Sequence, residues 1–282
     1  MSHNPLRDSR ATINPYLYAA GELLRRIKWD LHPLSWVSRA RVRAWKDRFQ
    51  GQKAVILCNG PSLLKSDLTL LDGVFTFGLN KINLLFDKST FRPSCIVAVN
   101  SFVIEQNKEF YNQTNLPLFL DSHAVKFVRS RTNIVFMHSS RQYKMARDCS
   151  ISINQGHTVT YAAMQLAFHM GFTSVALIGC DHYFAAKGPA NQVVTSGERD
   201  DSHFDPHYFS GGVQWQLPDL VHSELFYALA KEVYETFNRK IFNATEGGRL
   251  EIFPRIRLAD FVGTTNSNHR TSRSPETTLQ KR

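Results

Sequence analysis

Short apolar runs that stop abruptly at polar turns recur along the middle of the chain. Residues 54–61 read AVILCNGP, an apolar run driven straight into Asn59-Gly60-Pro61. Residues 74–79 (VFTFGL) end at Asn80, and residues 96–99 (IVAV) end at Asn100. Residues 116–120, 133–137, 174–179 (SVALIG) and 240–243 repeat the pattern. Runs this short, bounded by turn formers, predict buried strands. Helical periodicity lies between them. Ser62 can cap a helix carrying Leu63, Leu64, Leu68, Leu70 and Leu71. Thr158 or Thr160 can start a second, with Met164, Leu166, Ala167 and Met170 inward and Gly171 at its end. Residues 221–237 predict a third, with Leu225, Phe226, Leu229, Val233 and Phe237 in the core. Ahead of all these, residues 16–48 hold two helical patterns broken near His32-Pro33.

Strand alternating with helix predicts an α/β domain, Rossmann-like and doubly wound, with a mostly parallel sheet. We divide the chain into a basic helical extension (residues 1–50), the α/β domain (51–262) and a polar tail (263–282) expected to be disordered. Residues 185–212 are long, polar and without an evident element, which predicts a lid over a site.

Composition narrows the class. The 282 residues are 43% hydrophobic and 21% charged, enough apolar content for a packed core. Cys58, Cys95, Cys149 and Cys180 are scattered with no CxxC spacing, which points to a reducing compartment and away from a zinc ribbon or disulfide scaffold. No run approaches membrane-span length and no signal-peptide pattern opens the sequence, so a cytoplasmic chain is expected, with peripheral attachment to the inner membrane as an alternative. The net charge is +10 and much of it falls in residues 25–48 and after His269. Basic helices interleaved with Trp29, Trp36 and Trp45 suit an anionic membrane surface. The plainer reading is that they pack on the main domain, and they could equally embrace a second subunit as a homo-oligomer. Nucleic acid is not expected as a partner, because the basic stretches are terminal and carry no recognition motif.

Three strands ending in Asn59, Asn80 and Asn100 would bring three amides to one edge of a parallel sheet. An amide both donates and accepts, which suits ribose hydroxyls, base edges and phosphate oxygens. The lid carries residues 200–208, DDSHFDPHY. A histidine there is a natural general base near neutral pH. His203 and His207 could instead ligate a metal, contact phosphate or stand solvated.

Those residues carry a resemblance. Residues 59–63 (NGPSL), Gly179 and Asp181 with Tyr183 following, and residues 202–207 (SHFDPH) resemble the bacterial sialyltransferases of glycosyltransferase family 42. The same framework, with residues 243–248 (NATEGG), is similar to the 6-hydroxymethylpterin diphosphokinase-like family that includes motility accessory factors. The likeness spans about residues 53–254. It implies a single-domain, GT-A-like Rossmann variant and an inverting, metal-independent transfer of an acidic sugar (sialic acid-, pseudaminic acid- or Kdo-like). The donor would be CMP-activated and the acceptor a glycan of the bacterial surface, as in polysaccharide biosynthesis. By the resemblance, His207 is the base, Tyr183 holds the leaving phosphate, and His203 belongs to the same loop. Asn59, Gly60, Ser62, Asn80, Asn100, Thr158, Asp181 and Ser202 would form the donor site. No metal and no further cofactor are expected on this reading. The pterin branch implies ATP and magnesium instead, and a non-catalytic nucleotide-binding protein is the third reading. The chain departs from the sialyltransferases in lacking a second tyrosine over residues 184–191 and in having Val159-Thr160 where they carry Ser-Gly.

Overall fold

The computed structural model describes residues 14–140 and 142–263. The described residues open with helices α1 (Pro15–Asp30) and α2 (Pro33–Arg43), separated where His32 caps α2 by accepting from the Leu34 N–H. Strands β1 (Lys53–Leu57), β2 (Phe75–Leu79) and β3 (Cys95–Ala98) follow, then helices α3 (Ser101–Gln106) and α4 (Lys108–Gln113). Strands β4 (Leu118–Asp121) and β5 (Ile134–Met137) come next, then the two-residue strands β6 (Ser139–Ser140) and β7 (Ile153–Asn154). Helix α5 (Val159–His169), strand β8 (Ser174–Ile178), the short strands β9 (Val193–Thr195) and β10 (Gln214–Gln216), helix α6 (Leu220–Thr236), strand β11 (Lys240–Asn243) and helix α7 (Leu258–Gly263) follow among the described residues.

Seven strands form one sheet in the order β11-β8-β1-β2-β3-β4-β5, and every pairing in it is parallel. The expected α/β class is what the structure shows. Beyond their first residues the inner strands are almost wholly buried, because apolar layers cover both faces. Ile56, Phe77 and Val97 face the layer of α5 and α6, while Val55, Leu57 and Ile96 face the layer of Trp29, Val103 and Tyr111. Helix α5 is buried over nearly its whole length, which is why its sequence is apolar all round.

The edge at β5 is not left open. The Ser38 hydroxyl of α2 accepts the Phe136 N–H, and the Arg41 guanidinium donates to the Ile134 carbonyl at 2.7 Å. Helix α2 thus satisfies strand groups that a bare edge would expose. Packing on the domain holds for α2. Helix α1, by contrast, buries Trp29 and leaves Tyr16, Leu17, Leu23 and Leu24 well exposed, as is Leu31 just beyond it.

Three local expectations are corrected. Ser62 starts no α-helix: residues Pro61–Lys65 and Leu68–Leu71 form two separate 3-10 turns, and Asp67 caps the second. Ser62 lies inside the first turn, with its hydroxyl committed to Asp181. Leu225 and Phe237 of α6 point outward, and Phe226, Tyr227, Ala230 and Tyr234 make its buried face. Residues 185–212 are not without structure, since β9 pairs antiparallel with β10 and Phe204, Tyr208 and Phe209 are buried. The expected tail, residues 263–282, lies outside the described residues apart from Gly263, as do residues 1–13.

Candidate functional site

Strand β1 has β2 on one side and β8 on the other, so the connections leaving the neighbours β1 and β8 run to opposite sides of the sheet. In open parallel sheets the crevice beyond the carboxyl ends at such a point is where ligands bind. Here the crevice is a cavity of about 460 Å³, within the range of small-molecule sites. Its floor is Cys58, Asn59 and Gly60 after β1, Asn80 after β2, Asn100 after β3, and Gly179, Cys180 and Asp181 after β8. Gln155 to Thr160 and the start of α6 form one wall, and the lid segment closes the other. A wider depression of about 600 Å³ lies at the amino ends of β2 and β3, lined by Phe75, Thr76, Arg92 and Ser94. It lacks the convergent loops that a parallel sheet gathers at its other end.

The floor is tight because Gly60 has no side chain. A Cβ there would stand 1.9 Å from Asp181 Oδ2 and 2.7 Å from the Gly179 carbonyl. This allows the Asp181 carboxylate to accept both the Ser62 N–H at 3.1 Å and the Ser62 hydroxyl at 2.7 Å. Asp181 is therefore a latch between the turns after β1 and β8. The turn at residues 243–248 braces the same place from behind: Thr245 Oγ1 accepts the Cys180 N–H at 3.0 Å, and the Asp181 carbonyl accepts the Arg249 N–H.

All three strand-end asparagines line the cavity, but they differ in what they have to spare. The carboxamide oxygens of Asn59 and Asn80 are buried with no hydrogen-bond partner. Asn100 is occupied: its oxygen caps α3 by accepting from Phe102 and Val103, and its amide donates to Gln216 Oε1. Backbone strain gathers around the same space. Asn80, His157, His182 and Asn191 all have left-handed φ angles (49°, 58°, 53° and 63°) and all line the cavity. Such conformations concentrate where surrounding structure holds a site in place.

The lid reaches the floor through a backbone bond, Phe204 N–H to the Asn59 carbonyl at 2.9 Å. Just before it, His203 Nδ1 lies 2.7 Å from Asp200 Oδ2. The His203 ring stacks on Tyr208 at 4.0 Å with 2° between planes, and Phe184 and Phe209 meet it edge-on. Burial pushes the Asp200 carboxyl up, but the hydrogen bond and charge of His203 and the N–H groups of Ser202 and Phe209 outweigh it and hold Asp200 below the usual carboxylate range. A carboxylate oxygen only accepts, so His203 Nδ1 is the donor of this bond and Nε2 is the unprotonated nitrogen of the neutral ring. Beneath the lid the Lys81 ammonium donates to the Tyr208 carbonyl at 2.6 Å and to Gln106 Oε1 at 2.8 Å.

Of the residues read from the sequence, Asn59, Gly60, Asn80, Asn100, Thr158, Asp181, Tyr183, Ser202 and His203 line the cavity together. Thr158 is the cap of α5 and Ser202 accepts the Ala185 N–H, so both are partly committed. Tyr183 stands half-exposed at the mouth with the Arg249 guanidinium over its ring. Ser62 and His207 are not in the lining; His207 is exposed on the outer side of the lid. Sequence reasoning missed Asp200 as the partner of His203, although i and i+3 spacing in a turn-rich segment is a usable signal. It also missed Gln155, His157, Asp219 and Tyr227, which the fold delivers from two separate helix starts.

A family model described as 6-hydroxymethylpterin diphosphokinase MptE-like matches residues 34–187, more than half of the chain. The chain belongs to this MptE-like family. The match takes in β1 to β8 and the floor of the cavity. The chain is also similar to a solved structure of a MAf glycosyltransferase from Magnetospirillum magneticum AMB-1, at 14% identity and a TM-score of 0.47. That likeness covers 81% of this chain and 39% of the other, so this chain spans less than half of that protein's length. No curated protein matches.

The family name implies a diphosphokinase, and hence ATP with magnesium. Magnesium takes carboxylate and phosphate oxygens in octahedral geometry. The carboxylates lining the cavity are Asp181 and Asp219. Asp181 is taken up by Ser62, and Asp219 stands between the His157 and His222 imidazoles, a nitrogen environment that magnesium disfavours. Among the described residues no lysine or arginine lines the cavity. This donor set does not fit a magnesium-bound triphosphate.

Proposed function

We propose that the cavity binds a CMP-activated acidic sugar and that the chain transfers the sugar to a glycan acceptor, as a glycosyltransferase of the MptE-like family. The observation that carries this is the character of the lining: amides and hydroxyls beside a histidine, His203, oriented by Asp200, with no lysine or arginine among the described lining residues. Such a lining suits a nucleoside monophosphate, whose single phosphate asks for less positive charge than a triphosphate. Asn59 and Asn80 bring carboxamide oxygens that are buried without a hydrogen-bond partner. They would read the ribose and base edges, and Thr158 and Tyr183 would donate to the phosphate as it leaves. Fixed neutral donors at that point stabilise developing charge without reorganisation.

The acceptor hydroxyl must lose its proton as its oxygen attacks the anomeric carbon. His207 is exposed and outside the lining, so in this proposal the base is His203. Its Nε2 takes the proton, and the buried Asp200 holds the tautomer and stabilises the imidazolium that results. Ser202 positions the lid through Ala185. The amphipathic helix α1 would bring the enzyme to an anionic membrane carrying the acceptor. Magnesium has no part in this scheme.

Thermal shift with CMP, and with ATP plus magnesium, separates the two branches, since a ligand of the native state raises the melting temperature by mass action. CMP should raise it and ATP with magnesium should not. His203→Asn should leave the CMP shift intact while reducing CMP release from a CMP-sugar donor by 10²-fold or more. Stabilisation by ATP–magnesium alone, with AMP release in the presence of a hydroxymethylpterin, would overturn the reading in favour of the diphosphokinase.

A further inference from the structure

At the entries to α5 and α6, beside the cavity that His157 and Asp219 line, three further side chains meet that the proposed transfer does not use. His157 stands in the turn before α5, Asp219 caps α6, and His222 lies one turn into α6. Asp219 Oδ2 is 3.2 Å from His157 Nδ1 and 2.8 Å from His222 Nδ1. One ligand atom from each of the three falls within 4.8 Å of the others. The two imidazoles stack at 4.9 Å with 22° between their planes. We propose that His157, Asp219 and His222 bind one divalent transition-metal ion of the zinc type at the mouth of the cavity.

Spacing and chemistry agree. Ligand atoms at zinc–nitrogen and zinc–oxygen bond lengths of about 2.0–2.1 Å sit roughly 3.3 Å apart on a tetrahedron. The observed 3.2 and 2.8 Å separations need little adjustment to reach that. Two imidazoles and one carboxylate select zinc and its neighbours in the first transition row over magnesium or calcium, which prefer all-oxygen shells.

The surroundings support the ligands as a metal site requires. The Asn191 amide donates to Asp219 Oδ2 at 2.8 Å, an outer contact of the kind that orients a ligating carboxylate. His157 keeps a left-handed backbone (φ 58°) next to Gly156, where a Cβ would stand 2.3 Å from the Tyr161 ring. That close approach fixes the turn and aims the imidazole at α6. Phe226 packs against the His157 ring from the following turn of α6. The ion would tie the α5 entry to the α6 entry, two elements far apart in sequence that together wall the cavity. Three protein ligands leave a coordination position for water or for an oxygen of a bound ligand.

The test uses the untagged full chain, treated with chelator, desalted and titrated with Zn²⁺ alone or Mg²⁺ alone, with no nucleotide or sugar present. One equivalent of zinc should bind and raise the melting temperature, and magnesium at the same concentration should do neither. His222→Ala removes a half-exposed ring, and His157→Asn keeps a residue that tolerates the left-handed conformation. Each should weaken zinc binding at least tenfold while the metal-free variant melts near the metal-free wild type. Unchanged zinc affinity in both variants, no binding by the wild type, or equal stabilisation by magnesium would overturn the site. Co²⁺ gives a reading that needs no variant: visible bands of low-coordinate cobalt are expected, and the spectrum of the hexa-aqua ion or of thiolate ligation would overturn the assignment. None of these readings depends on donor turnover, so the metal site and the transfer proposal fail separately.

Discussion

Lys81 follows the left-handed Asn80 and is buried under the lid, where it carries the Tyr208 carbonyl and faces the Tyr208 and Phe209 rings. Burial costs its charged form and lowers its pKa from 10.5 to about 8, with Asp200 pulling weakly the other way. The unfolded chain therefore holds that proton more tightly than the folded one. The penalty is fully present below about pH 8 and is relieved as pH rises from about 8 to 10.5, so this group makes the native state more stable with increasing pH across that window. A shift of this size corresponds to ~3 kcal/mol at most. Lys81→Met should remove the slope: urea unfolding at pH 7 and pH 10 should show the variant gaining on the wild type at pH 7 and losing that advantage at pH 10. A difference that is the same at both values would mean Lys81 is effectively solvated. None of this was visible in the sequence, where Lys81 is one cation among 34. Asn59, by contrast, was legible, because an apolar run ending in Asn-Gly-Pro has few structural readings. His203 was legible as a chemical group but not as the inward one of a pair, since two histidines four apart in a loop carry no facing information.

At the level of elements, α2 does work that its basic sequence hides. The Ser38 hydroxyl and the Arg41 guanidinium answer backbone groups of β5 and of the turn before it. Leaving a buried carbonyl or N–H unanswered costs about 1–3 kcal/mol. Ser38→Ala and Arg41→Ala should each lower unfolding free energy by about that amount, read from denaturant midpoints, and Arg41→Ala should also promote aggregation by freeing the sheet edge. Unchanged midpoints and solubility would show that water replaces both contacts. The seven strands of the main sheet were readable to within two residues, because runs buried on both faces are apolar throughout, whereas the short strands β6, β7, β9 and β10 were not read. The region after Ser62 was not. Its leucines fit a helical period, but Asp181 claims the Ser62 hydroxyl that would have capped the helix, and the segment closes into two 3-10 turns instead. Leu225 misled in the opposite way: apolar at the right spacing, it is half-exposed because Phe226 and Tyr227 already fill the face against α5.

For the molecule as a whole, charge and apolar exposure coincide at the amino-terminal helices. Tyr16, Leu17, Leu23, Leu24, Ile27 and Leu31 of this region are exposed beside Arg25 and Lys28, with Trp36 exposed on α2. No helix among the described residues is long and apolar enough to cross a membrane. On the proposal that this face lies on a membrane surface, the chain should sediment with vesicles containing anionic lipid and less with neutral ones, and raised salt should weaken the binding. Leu24→Asp with Ile27→Asp should abolish it. Equal recovery with neutral vesicles, or a concentration-dependent dimer that the same pair of substitutions dissolves, would assign the face to something other than a bilayer.

The central place of β1 has a consequence for how the protein is made. A chain emerging amino-end first can add β2, β3, β4 and β5 beside β1 one after another, each next to the last. The other side of β1 stays open until β8 is synthesised, and the lid and α6 come later still. Every wall of the cavity except the floor under β1 to β3 and the turn ahead of α5 belongs to this late half. The nascent protein is thus a five-stranded sheet without a complete binding site for much of its synthesis. Ligand cannot guide its early folding, and a ribosome-bound chain stalled before α6 should retain no affinity for nucleotide.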